Sequence, residues 1–196
     1  MNKIKFLIFL ILCISACSKY NGIDISHHND VDWKSVQLDT NIKYCYIKAT
    51  EGKHWIDPQC LNHTSNAKKS NLSIGYYHYF RTNCSGEEQF NNFAKVLNNG
   101  FNLPPAIDVE FMNNDLSNSE EISKELQIMI DLIRKKYNCV PFVYYSLPWH
   151  KTKFKLNNCQ YWMRAIEFPF IHGHMRQVGI KHIGNSKIDI NYYESF

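Results

Sequence analysis

Asp108-Val109-Glu110 closes a short apolar run, Leu103-Pro104-Pro105-Ala106-Ile107, and sets two carboxylates one residue apart. In a strand, residues i and i+2 project to the same face. Two acids side by side at a buried strand end resist joint ionisation, so one is pushed toward its neutral form. A protonated Glu beside an ionised Asp is the pair that cleavage of a glycosidic bond requires. Alone, the same tripeptide equally describes a strand end with two solvated acids. The elements around it decide.

Strand-like runs at 20–25, 43–49, 72–79, 104–109, 140–145 and 161–166 alternate with helical patterns, which favours parallel βαβ construction. Two weaker runs follow at 175–178 and 187–190. Asp57-Pro58 offers an N-cap and a first-turn Pro for a helix running through Ala67 to Ser70. Phe90, Phe93, Ala94 and Leu97 mark one face of a second helix. Ser117 and Glu120 read as a capping box ahead of the apolar stripe Ile122, Leu126, Met129, Ile130, Ile133 and Tyr137. After Tyr145 only a short turn around 148–155 looks helical. Eight strands with helices concentrated early predict an α/β fold, an irregular TIM-like β/α barrel with fewer than eight helices.

In such barrels the working groups gather at the C-terminal ends of the strands. The first strand ends in Asp24-Ile25-Ser26-His27-His28, and the second runs into Lys48-Ala49-Thr50-Glu51-Gly52. The third ends in Tyr77-His78-Tyr79-Phe80-Arg81, the fourth in Asp108-Val109-Glu110, and the last carries Asp189-Ile190-Asn191. Four acids, Asp24, Asp108, Glu110 and Asp189, thus fall on three strand ends among Tyr and His. A sugar cleft needs this mixture: aromatic faces stack on pyranose rings while carboxylates handle protons and positive charge. His27, His28 and His78 match no metal-ligand spacing and read as hydrogen-bonding side chains. Lys48 with Glu51 reads as an ion pair at a strand end.

The first sixteen residues read as a signal peptide. Lys3 and Lys5 precede an apolar stretch too short to span a bilayer, and Ile14-Ser15-Ala16-Cys17 resembles a lipobox. Lipidation of Cys17 would tether residues 17–196, expected to form one domain and to act as a monomer, to a membrane face. An ordinary cleaved signal is the alternative, and both export the chain. Removing Lys3 and Lys5 takes the formal charge from +4 to +2, without the Lys/Arg block that nucleic acid would demand. Of seven cysteines, setting aside Cys13 and Cys17 leaves five, an odd number with no C-x-x-C pair, so no zinc site is expected. Cys45 lies in an apolar strand pattern and reads as a core residue.

The chain resembles the glycoside hydrolase family 25 lysozymes, the Chalaropsis-type N-acetylmuramidases, over residues 22–196. The likeness rests on Gly22-Ile23-Asp24-Ile25-Ser26-His27-His28 with Val31-Asp32-Trp33, then Tyr46-Ile47-Lys48-Ala49-Thr50-Glu51-Gly52. It continues through Ile74-Gly75-Tyr76-Tyr77-His78-Tyr79-Phe80, Pro105-Ala106-Ile107-Asp108-Val109-Glu110 and Ile188-Asp189-Ile190-Asn191. The resemblance implies an irregular α/β barrel that hydrolyses the β-1,4 bond between N-acetylmuramic acid and N-acetylglucosamine in peptidoglycan, without cofactor or metal. It makes Asp24, Asp108, Glu110 and Asp189 the acidic set, with Glu110 as general acid. Asp108 would stabilise an oxocarbenium-like transition state or orient the substrate's acetamido group as internal nucleophile. Asp24 and Asp189 would hold the site's hydrogen bonds, though each could equally be a buried Asp satisfied by backbone N–H groups.

Tyr77, His78, Tyr144, Trp162 and Gln177 are the expected substrate-binding residues, an ordinary core position being the alternative for each Tyr. Strand spacing gives roughly 6–7 Å between the Cα atoms of Asp108 and Glu110, which leaves retention and inversion both open. Two stretches depart from the family pattern. Met175-Arg176-Gln177-Val178 lacks an aromatic beside the Gln, and Arg164 stands in Tyr161-Trp162-Met163-Arg164-Ala165. The altered 175–178 strand keeps open a surface lipoprotein that binds glycan without cutting it, and a related barrel hydrolase of chitin-like polymer is a third reading.

Overall fold

The computed structural model describes residues 19–98, 100–112, 114–147, 150–166 and 172–196. The expected signal sequence and lipidation site, Cys17 included, lie outside them. In chain order the elements are β1 (Gly22–Ile25), α1 (Trp33–Leu38), β2 (Tyr44–Glu51), β3 (Trp55–Ile56), α2 (Cys60–Lys69), β4 (Ser73–Tyr79) and α3 (Gly86–Leu97). There follow β5 (Ala106–Val109), α4 (Ser119–Tyr137), β6 (Phe142–Tyr145), α5 (His150–Lys153), β7 (Gln160–Arg164), β8 (Met175–Ile183) and β9 (Ser186–Tyr193).

Eight strands close into a barrel in the order β1-β2-β4-β5-β6-β7-β8-β9, with β9 returning to β1. Neighbours from β1 through β8 are parallel, each pair separated by a crossover, as the alternating pattern predicts. β9 departs from the parallel pattern. Ile183 pairs with Ser186 across Gly184 and Asn185, and so short a link permits only an antiparallel hairpin. This hairpin also makes β8 and β9 longer than their sequence signals, because its solvent side carries the polar His182 and Lys187. The two-residue β3 lies outside the barrel, antiparallel to β2.

Period-two alternation sorts the strand residues into two cores. Ile23, Cys45, Ile47, Ile74, Ile107, Val143 and Met163 face outward, where Phe93 of α3 and Leu126, Met129 and Ile130 of α4 cover them. Their alternates fill the lumen: Tyr44, Tyr46, Ala106, Phe142 and Met175, all without solvent exposure, with Tyr144 and Trp162 above. Large lumen rings need small neighbours. A Cβ on Gly22 would stand 2.1 Å from the Tyr44 ring, and one on Gly75 would stand 2.4 Å from that of Tyr46, so glycine is required at both.

The helices start where side chains satisfy their first N–H groups. Ser85 and Glu88 form the capping box of α3, a signal missed in the sequence. The box expected at Ser117 and Glu120 is not formed; Asn118 caps α4 by accepting from the Glu121 N–H. Asp57 does not cap α2 either. Its carboxylate takes the Gln59 N–H and both the backbone N–H and Nδ1 of His27, and the helix begins at Cys60. The short α1, capped by Asp32, also escaped the sequence reading.

Candidate active site

The inward positions of each strand change character toward the C-terminal mouth. Tyr44 and Tyr46 on β2 give way to Lys48, Ala106 on β5 to Asp108 and then Glu110, and Phe142 on β6 to Tyr144. Together with Asp24 of β1 and Asp189 of β9, these residues line one cavity of about 300 Å³. Tyr77, Tyr79, Trp162 and Gln177 complete its walls. All four acids of the sequence reading therefore share one cleft. Tyr77, Tyr144, Trp162 and Gln177, expected to touch substrate, line it as well.

His78 does not. It is fully buried on the outer face of β4, its Nδ1 2.7 Å from Thr50 Oγ1 and its Nε2 3.0 Å from Gln89 Oε1. Alternation explains the correction: with Tyr77 and Tyr79 facing the lumen, the residue between them must face α3. The same rule would have excluded it from sequence alone.

Lys48 and Glu51 should face opposite ways at a spacing of three, yet both line the cleft. A bulge between Lys48 and Thr50 shifts the register, so that Lys48 pairs with Tyr77 and Glu51 with Tyr79. Lys48 Nζ then donates to Glu51 Oε2 at 2.7 Å and sits 4.7 Å from the Tyr79 ring centroid. The expected ion pair is present, and it belongs to the cleft.

A polar relay holds Asp24. Its Oδ2 accepts from Asn191 Nδ2 at 2.7 Å and from Gln177 Nε2 at 3.4 Å. Trp162 Nε1 donates to Asn191 Oδ1 at 3.0 Å, and Tyr144 Oη donates to Gln177 Oε1 at 2.8 Å. The two aromatic residues thus orient both amides with their NH₂ groups toward the carboxylate. Beyond β5, Asn114 staples the rim: its Nδ2 donates to the carbonyls of Glu110 and Phe80, and its Oδ1 accepts from the Thr82 N–H. Asn114 carried no recognisable chemical motif, and Asn191 entered only beside Asp189 in its strand, since amides that position acids leave no charge pattern.

Burial raises Asp24, Asp108, Glu110 and Asp189. Asp24 is pushed up to about 8, first by burial and then by Asp189, against the pull of its amide partners. Asp108 is raised well above the carboxylate range by burial and then by Glu110, with Lys48 opposing. Its Oδ1 is buried without a hydrogen-bond partner among the described residues. Burial also raises Glu110 and Asp189, while Arg164 holds both down. Such a cluster shares protons at neutral pH, keeping some members neutral and able to donate while others carry charge.

Among the described residues, no group of three or more His, Cys, Asp or Glu is arranged to hold a metal ion.

The sequence model of Glycosyl hydrolases family 25 matches residues 23–168. The chain belongs to this family. A family 25 glycosyl hydrolase structure from Bacillus anthracis superposes with a TM-score of 0.79 at 28% identity, covering 90% of each chain. A bacterial lysozyme from Streptomyces coelicolor shares the fold, with a TM-score of 0.75 over 90% of this chain and 93% of that one at 19% identity. An autolytic lysozyme of Clostridium acetobutylicum is 37% identical over 45% of this chain and 28% of its own length. YegX, an uncharacterized protein of Escherichia coli, is 26% identical over 71% of this chain and 53% of its own. The chain spans about half the length of the first curated relatives it matches. Family 25 membership accounts for the barrel with fewer helices than strands.

Proposed function

We propose that this chain is an exported peptidoglycan hydrolase, a muramidase cleaving the β-1,4 bond between N-acetylmuramic acid and N-acetylglucosamine. The observation that carries this reading is the convergence of Asp24, Asp108, Glu110 and Asp189 on one aromatic-walled cleft at the mouth of a family 25 barrel. Lysozymes among its relatives support the substrate. Glu110, raised by burial and open to the cleft, serves as the general acid that protonates the departing sugar oxygen. Asp108 lies one layer deeper and answers the positive charge that develops on the ring, or holds the acetamido group in line. Asp24 and Asp189 are positioning residues that tune Glu110 by charge and fix the floor of the cleft. Tyr77, Tyr144 and Trp162 give the sugar its stacking faces, and Gln177 a polar contact. The reaction needs no cofactor or metal in this scheme.

Residues 17–196 would act as a single monomeric domain, carried to the cell envelope by the leader 1–16 and anchored by lipid on Cys17. Cys17→Ala should release the protein from the membrane fraction; unchanged partitioning would remove the anchor from this proposal. The catalytic reading is tested by incubating purified protein with peptidoglycan and identifying products by mass spectrometry. New reducing ends on muramic acid are expected, and Glu110→Gln should abolish them. Co-sedimentation with the wall and no release would identify a glycan binder, and cutting of chitin oligosaccharides in place of peptidoglycan would move the substrate.

A further inference from the structure

Beside the acid cleft lies a groove of opposite charge. It has a volume of about 430 Å³ and runs between the β2–β3 turn, Trp55 of β3 and the loop after β4. His28, Lys48 and Glu51 line both depressions, so cleft and groove form one continuous surface. The cleft's lining carries five carboxylates against one cation, Lys48. The groove's lining carries three cations, Lys48, Lys53 and Arg81, against one carboxylate, with Lys53 also 3.4 Å from the exposed Glu88. The lining carboxylate, Glu51, is already engaged by Lys48 at 2.7 Å and by Arg81 at 3.7 Å. An anionic substituent on a saccharide therefore finds its favourable partners just beyond the point where the sugar is cut.

The cationic wall is built into the fold. Gly52 adopts a φ of +51°, and a Cβ there would approach Arg81 Cγ to 3.1 Å, so the Arg81 stem lies across a glycine. Gln89 grips the Arg81 backbone from both sides, accepting its N–H at 2.7 Å and donating to its carbonyl at 3.0 Å. The buried His78 holds that same Gln89, which makes its off-cleft position a support for the groove. Across from Arg81, Trp55 leaves 39% of its surface exposed as an apolar platform.

We propose that this groove is a subsite for carboxylates carried by the glycan substrate, the free carboxyl groups of the peptide borne by muramic acid, held by Arg81 and Lys53. The proposal rests on the muramidase reading for the identity of the ligand, while the charge separation stands by itself.

The test is equilibrium binding by calorimetry to Glu110→Gln, which leaves the ligand uncut. The probes are a muropeptide with free carboxylates and the same muropeptide with those carboxylates amidated. The free form should bind about three- to ten-fold more tightly at low salt, with the advantage shrinking as salt rises. Adding Arg81→Gln and Lys53→Gln should erase the difference, and Arg81→Lys with Lys53→Arg should restore most of it. Equal affinity for the two probes would overturn the subsite, and so would equal weakening of both by the Gln pair. Should the Gln pair fail to fold, the salt-dependent contrast between the probes decides by itself. Wild-type hydrolysis of peptide-free glycan strands reports on the muramidase reading alone. Its absence with carboxylate-dependent binding intact would sink the enzyme and leave the subsite standing.

Discussion

The two ends of the barrel interior are built by the same strands and the same alternation, yet they obey opposite rules. At the N-terminal end Tyr44, Tyr46 and Phe142 meet edge to face, with Tyr46 and Phe142 centroids 6.3 Å apart and planes at 89°. The buried hydroxyls are answered too, Tyr46 Oη donating to the Pro104 carbonyl at 2.8 Å and Tyr44 Oη to Met175 Sδ at 3.5 Å. One layer higher, Asp24, Asp108 and Lys48 occupy the next inward positions, and Asp108 Oδ1 has no hydrogen-bond partner among the described residues. The lower layer satisfies itself; the upper layer is left in mutual repulsion. Stability and chemistry are thus separated by about two residues of strand, and substitutions should divide them in the same way.

The largest effect belongs to the upper layer. Glu110→Gln keeps shape and removes the transferable proton, so muropeptide release should fall by about 10²- to 10⁴-fold while the melting temperature stays level or rises. The reverse is expected below. Phe142→Ala empties a fully buried site between Tyr46 and Tyr193 and should cost about 3–5 kcal/mol in urea unfolding. The folded fraction of that variant should retain its specific activity. If Phe142→Ala abolished turnover in protein shown to be folded, the two layers would not be separable.

Much of this division was legible in the sequence, because strand alternation is a local signal. All eight barrel strands, the lumen-facing acids and Tyr77 follow from period two and the barrel rule, while Tyr144 and Trp162 come with the family resemblance. The same rule puts His78 on the outer face of β4, whatever its chemical type suggests. Other features had no local trace. The bulge that turns Lys48 and Glu51 into the cleft depends on register against β4, and the antiparallel β9 depends on closure with β1. Asn114 acts through Phe80, 34 residues away, and Asn191 through Trp162, 29 residues away. The helix caps show the same limit at short range: Ser117 and Asn118 are adjacent candidates, and packing of the α4 stripe selects between them.

Arg164 offers a smaller and sharper probe of the upper layer. Its charge lowers both Glu110 and Asp189 against the effect of burial. A neutral side chain there should let both rise further. Since Glu110 must be protonated to act, activity is lost as pH climbs through its pKa. The alkaline limb of kcat/KM in Arg164→Gln should therefore move to higher pH, and a shift to lower pH would contradict the assignment of Glu110 as the acid.

The subtlest expectation concerns Asp24 and the cost of the crowded layer. Its carboxyl is raised from an ordinary 3.8 to about 8, so the folded chain holds this proton more tightly than the unfolded chain. Below pH 4 both states are protonated and the residue adds no penalty. As pH rises from about 4 through 8, the unfolded state gains the advantage of an ionised, hydrated carboxylate, and the folded state loses relative stability. Asn cannot ionise, and its side-chain oxygen can still accept from Asn191 and Gln177. Asp24→Asn should therefore melt several degrees above the wild type near pH 8 and converge with it near pH 4, while losing activity. A variant that melts lower at both pH values would mean that the two amides stabilise a charged Asp24 more than its neighbours oppose it, and the upper layer would then be better satisfied than its burial implies.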